Sequence, residues 1–286
     1  MVHNDWKNQC PPANPPVSQA DRSRNKGSGK LRRCSGQCQK AHLLRGRTSG
    51  RIRLPAMPAF PQDSFDHLVG EQILAAFEQT WDGLGRPGTW WTGAQRMAIA
   101  EASRSAMDDG PRPIGLAIPA LVDLDHVDGS GISDLALEVV RRVTSESGRI
   151  TAAWAAEAIG LMGPGRYVEL VAMVVLTVPI DIFCGLLGRP RQSLPEVVAG
   201  EPVGGVPDGV AAGEAYVPWL VDGWRGPNVA RALSYVPADN DRRLAMVSSM
   251  YDGSEFFEMV WSHRSLSRPQ IELLAARTSA LNECFY

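Results

Sequence analysis

Two glutamates in this chain each stand 12 positions ahead of a residue in a Cys-x-x-Cys frame. Glu272 precedes Cys284 by 12, and Glu169 precedes Asp181 by the same interval, with Cys184 three positions further on. A cysteine pair at a helix start is a thiol–disulfide device, because the sulfurs can bond and the helix dipole lowers a thiol pKa. A glutamate on the preceding helix, or across a bend, can sit beside the sulfurs as proton acceptor. A histidine on the next turn would complete a relay that generates thiolate and protonates the leaving oxygen. The plainer reading of a single cysteine such as Cys284 is a small buried hydrophobe. Glu272 by itself reads as a solvated helix residue or part of a cap formed by Ser267 and Gln270.

The two glutamates belong to a longer match. Sliding the chain by 103 positions lays Val168-Glu169-Leu170-Val171-Ala172 over Ile271-Glu272-Leu273-Leu274-Ala275. Asp181 then falls on Cys284, Ile182 on Phe285 and Phe183 on Tyr286. This predicts a duplicated helical unit. The earlier copy has aspartate for its first cysteine, and the later copy reaches the end of the 286-residue sequence one position before a second cysteine would fall.

The segment from Ser267 to Tyr286 resembles the active-site helix pair of the alkylhydroperoxidase AhpD-like family, within the carboxymuconolactone decarboxylase superfamily. That motif runs Glu, eleven residues, Cys-x-x-Cys, three residues, His. Glu272 and Cys284 match its glutamate and first cysteine; the second cysteine and the histidine have no counterpart here. The stretches from Trp91 to Ala100 and from Tyr167 to Cys184 also resemble long, two-repeat members of the group. The resemblance implies an all-α fold that forms homo-oligomers and reduces a hydroperoxide substrate at the expense of a thiol reductant. It casts Glu272 as proton acceptor and Cys284 as one half of the redox pair. In the family the second cysteine attacks peroxide and the first resolves it into a disulfide. Cys284 then holds the resolving position, and Cys184 the attacking position of the other copy. The expected activity is thiol peroxidase, impaired by the missing cysteine and histidine, with no cofactor and no metal. Two alternatives stand beside it: a non-catalytic helical scaffold of the same fold, and a carboxymuconolactone decarboxylase-type enzyme.

The elements that must position these residues read as helices. Phe65, Leu68, Val69, Ile73, Leu74, Phe77 and Trp81 recur at three- and four-residue spacing, with Ser64 as cap and Gly83-Leu84-Gly85 as stop. Thr92 and Gln95 form a capping box for the next helix. Further helices are predicted near 134–144, 150–161, 166–187, 228–235, 239–250 and from 268 onward. No alternating strand pattern of note appears, so the fold class is all-α with an internal helical repeat. The division is a basic disordered tail at 1–56, a first AhpD-like repeat at 57–190, a Pro/Gly-rich connector at 191–225 and a second repeat at 226–286. Met57 is then a candidate true start.

Charge and cysteine usage narrow the class. Residues 1–56 carry 12 Lys/Arg against Asp5 and Asp21, while the remainder carries 17 basic and 29 acidic groups. The acidic remainder argues against nucleic acid as a partner. Five cysteines without a compact framework do not suggest a secreted disulfide fold. The longest apolar run, Leu170 to Ile180, is shorter than a span of about 20 residues. It reads as a core helix, and the protein as soluble, cytoplasmic and free of membrane partners. Gly83-x-Gly85-x-x-Gly88 follows a helix, not a strand, which argues against a phosphate cradle. Cys10, Cys34, Cys38 and His42 have ligand-like spacing but lie in the tail, so a zinc site is not expected. Asp123, Asp125, His126 and Asp128 form an acidic loop without the calcium-loop pattern. His263 suits an exposed turn.

Overall fold

Helical stretches punctuated by capping residues, Gly and Pro assemble around one long apolar helix. The computed structural model describes residues 69–116, 120–129, 131–251 and 265–281, which belong to one compact unit. Its first half holds α1 (Glu71–Leu84), α2 (Gly93–Asp109), α3 (Asp134–Ser145), α4 (Ala152–Met162) and α5 (Pro164–Leu186). A long irregular passage follows. Beyond it come a hairpin of β1 (Val210–Ala211) and β2 (Trp219–Leu220), the single turn α6 (Asn228–Arg231), α7 (Pro237–Met250) and α8 (Arg268–Leu281). The class is all-α. The hairpin pairs only two residues per strand, too few to leave an alternating pattern in the sequence. Ser64, Phe65, Leu68, His263, Cys284 and the whole of 1–56 lie outside the described residues.

Local chemistry sets the helix starts. Thr92 Oγ1 accepts from the Gln95 amide and Gln95 Oε1 accepts from the Thr92 amide, the reciprocal box expected for α2. Ser133 and Thr151 cap α3 and α4 more simply, each side-chain oxygen accepting from one amide, that of Ala136 or Trp154. Gly163, at φ +84°, ends α4 and starts α5, with Pro164 at the first helical position. Only glycine takes that backbone conformation readily, and proline loses no bond there.

α5 packs against α1, α2, α3, α4 and α7. By length and composition it could cross a membrane, yet most of its apolar window is buried inside the bundle. Leu170, Ala172, Met173 and Leu176 are fully enclosed, together with Leu84, Ile99, Ile132, Val139, Val140 and Val236 from the surrounding elements. α7 falls within the stretch assigned to the second repeat, but it packs on α1 and α5. α8, aligned by sequence with α5, contributes no buried residue among those described.

The Pro/Gly-rich connector has no regular structure in its first part, but it is stitched to the turn between α1 and α2. Val198, Val203 and Gly204 amides donate to the carbonyls of Gly85, Gly88 and Thr89 at 2.9, 3.1 and 2.7 Å. Trp81 Nε1 donates to the Ser193 carbonyl. These bonds satisfy backbone groups that a bare loop would leave to solvent.

At the opposite end of α3, Arg112 joins two carboxylates. Its guanidinium donates to both Glu138 oxygens at 2.8 Å and to Glu146 at 2.7 and 3.1 Å. The Arg112 hydrogen bonds hold the Glu146 carboxyl down at about 2. A carboxyl lowered by folding stabilises above its unfolded pKa and loses that contribution as pH falls through the folded value. Glu146 therefore stabilises the fold above pH ~5, a contribution that fades toward pH ~2. Urea melts of Glu146→Gln across this range should show a stability deficit at neutral pH that closes on acidification. A deficit independent of pH would contradict the assignment.

Candidate functional site

The strongest concentration of chemistry in the bundle is a buried arginine shared by two carboxylates. Arg96 lies on α2 in a stripe with Gly93, Ala100 and Ser103, whose small side chains leave room for a guanidinium in the core. Its Nη1 donates to Glu169 Oε1 at 2.6 Å and to Asp239 Oδ2 at 2.8 Å, and Nη2 donates to Asp239 Oδ1 at 2.9 Å. Nε donates to the carbonyl of Leu84, the last residue of α1. Glu169 comes from α5 and Asp239 from the first turn of α7, so one side chain ties four helices. Arg96 and Glu169 side chains are 0% exposed and Asp239 is 2% exposed.

The surrounding groups complete the cluster. Glu169 Oε2 accepts from the Trp90 amide, and Asp239 Oδ1 accepts a further bond from Arg242 Nη1 at 2.7 Å. Gly88 presses its backbone against Glu169 and Arg96, where any Cβ would collide. That is the task of the last glycine in the Gly83-x-Gly85-x-x-Gly88 string. Burial pushes the Glu169 carboxyl up, and Asp239 adds to this, while Arg96 acts in the other direction. Burial also pushes the Asp239 carboxyl up, but the bonds and charges of Arg96 and Arg242 outweigh it and leave the group low. Arg96 stays charged: burial opposes the cation, and its two carboxylate partners more than restore it.

A second clamp lies further along α5. Arg104 of α2 donates to both oxygens of Asp181 at 2.8 Å and to the Gln192 carbonyl at 2.8 Å. Its guanidinium also sits over the Trp81 ring, 5.2 Å from the centroid. Asp181, which stands at the first cysteine position of the earlier copy, is thus an anchor for α2 and the connector.

The predicted site residues are dispersed. Glu169 and Asp181 lie on the same continuous helix, about 18 Å apart at 1.5 Å per residue. No bend brings the glutamate beside the cysteine frame, although Pro179 lies within the helix. Cys184 is a free, buried thiol on the last turn of α5. There the helix dipole disfavours thiolate, the reverse of a helix start. Burial raises its pKa, and Asp181 raises it further. Glu272 stands on α8 with its side chain 53% exposed, 2.9 Å from Arg268. Asp128 Oδ1 accepts from the Ile132 amide and closes the acidic loop as a turn. Among the described residues, no group of three or more His, Cys, Asp or Glu side chains could hold a metal ion.

Sequence reading overlooked Arg96, Arg104 and Asp239. Arg96 was detectable in principle, as a charge set on the small-residue stripe of an otherwise buried helix face. Asp239 carries no comparable mark, because its partner is 143 positions away. No protein-family model, curated protein or solved structure matches the chain.

A sealed cluster with every carboxylate engaged does structural work. Removing one member of such a set leaves an unpaired buried charge and costs about 3–5 kcal/mol. Arg96→Met should lose stability in that range in urea unfolding, against under about 0.5 kcal/mol for the exposed Arg86→Met. Equal, small losses for both would show that the cluster is dispensable.

Proposed function

We propose that this chain is an AhpD-like protein of the carboxymuconolactone decarboxylase superfamily whose thiol chemistry belongs to Glu272 and Cys284. In this reading the bundle around α5 is a charge-latched scaffold and not a second redox centre. One observation carries the assignment. Of the two matched glutamates, Glu169 is sealed between Arg96 and the Trp90 amide, while Glu272 is open to solvent. Only Glu272 can meet a diffusible substrate.

The reaction converts a hydroperoxide and two thiols into an alcohol, water and a disulfide. A thiolate sulfur takes the terminal peroxide oxygen, the O–O bond breaks, and the alkoxide leaves with a proton. The second thiol then displaces water from the sulfenic acid. Glu272 serves as acceptor for the thiol proton. Cys184 does not suit the role of second thiol, since it is buried, raised in pKa and one turn from the clamped Asp181. The partner thiol is therefore an added reductant or a cysteine outside the described bundle, and the intrinsic activity of the chain is low.

The scaffold reading, without catalysis, rests on the engagement of Glu169 and Asp181 in ion pairs. Steady-state consumption of tert-butyl hydroperoxide with a dithiol reductant separates the two. The thiol reading expects slow turnover that Cys284→Ser abolishes, that Glu272→Gln lowers by about a hundredfold, and that Cys184→Ser leaves intact. Turnover that depends on Cys184, or none at all in the parent chain, would refute it; the latter outcome supports the scaffold.

A further inference from the structure

Near the start of α5 the bundle forms an open cleft of about 250 Å³ that includes none of the clamped residues described above. Trp91, Leu121 and Leu135 line it and are themselves more than nine-tenths buried. Val122 and Leu161 also line it but are 61% and 45% exposed, so apolar surface continues from the interior to the solvent edge. Such a concave apolar wall with a few polar groups is the usual form of a small-molecule site.

Arg166 supplies the polar end. It lines the same cleft, and its guanidinium lies over the Trp91 ring, 5.3 Å from the centroid. Trp91 is held in turn by its Nε1, which donates to the Arg166 carbonyl at 3.0 Å. Arg96, Arg104 and Arg112 each grip a carboxylate, whereas Arg166 makes no ion pair among the described residues. It belongs to the first turn of α5, where the helix dipole adds positive potential and Gly163 offers no capping side chain. Asp125 is the acidic member of the lining and Arg166 the basic one, so an incoming anion is favoured at Arg166.

We propose that this cleft binds a small amphipathic carboxylate, its apolar body against Trp91, Leu121 and Leu135 and its carboxylate on Arg166. The volume falls just below the range of about 300–1,000 Å³ for ordinary ligand pockets, which limits the body to a single ring or a short chain.

The test is a titration of the full chain with phenylacetate and with its neutral counterpart phenylacetamide, followed through the Trp91 indole N–H resonance. Phenylacetate should bind saturably and shift that resonance. The amide, and phenylacetate added to Arg166→Gln, should bind at least about ten-fold more weakly, the worth of a charge-assisted contact. Arg166 is exposed, so the variant keeps the fold. Equal binding of acid and amide, indifference to Arg166→Gln, or no saturable binding would overturn the proposal.

Discussion

Everything in the bundle is arranged so that Arg96 never lacks a partner. Moving a guanidinium out of water costs several kcal/mol, and attraction repays that only when the geometry is complete. Here it is completed by Glu169 from α5, Asp239 from α7 and the final carbonyl of α1. The hydrophobic effect around α5 is indifferent to direction. The ion cluster is not. A slip of any one helix would strand a charge, so the cluster adds a directional constraint on helix register to that of the close-packed apolar contacts.

The same constraint accounts for features that have no chemistry of their own. Gly88 is needed because the chain must run directly against Glu169 and Arg96. The connector between α5 and the hairpin has no repetitive structure, and three of its amides, those of Val198, Val203 and Gly204, are taken by the turn that follows α1. Asp181 and Arg104 repeat the solution in the other half of α5, and Arg112 repeats it at the edge of α3. Charges spent in these clamps are not free for catalysis. The exposed carboxylate of α8 and the cleft beside Arg166 lie outside these clamps, and the proposals for thiol chemistry and ligand binding rest on them.

Much of this was legible in the sequence, and the exceptions have physical reasons. The helices of the bundle announced themselves by apolar spacing, and Thr92 with Gln95 marked one boundary because a capping box is a purely local device. Glu169 attracted notice through its spacing, but its role depends on a partner that spacing cannot supply. The cysteine frame allowed its glutamate to lie across a bend, yet tertiary packing on both sides keeps α5 continuous through Pro179. Asp239 stayed hidden because an ion pair spanning 143 positions leaves no periodic trace.

The central claim is that Arg96 makes α2, α5 and α7 one cooperative unit. Native-state hydrogen exchange on Asp239→Asn tests it most directly, since exchange resolves opening energies element by element. The account predicts that the most protected amides of α2, α5 and α7 fall together, by the same amount. Loss of protection confined to α7, with α2 and α5 unchanged, would contradict it.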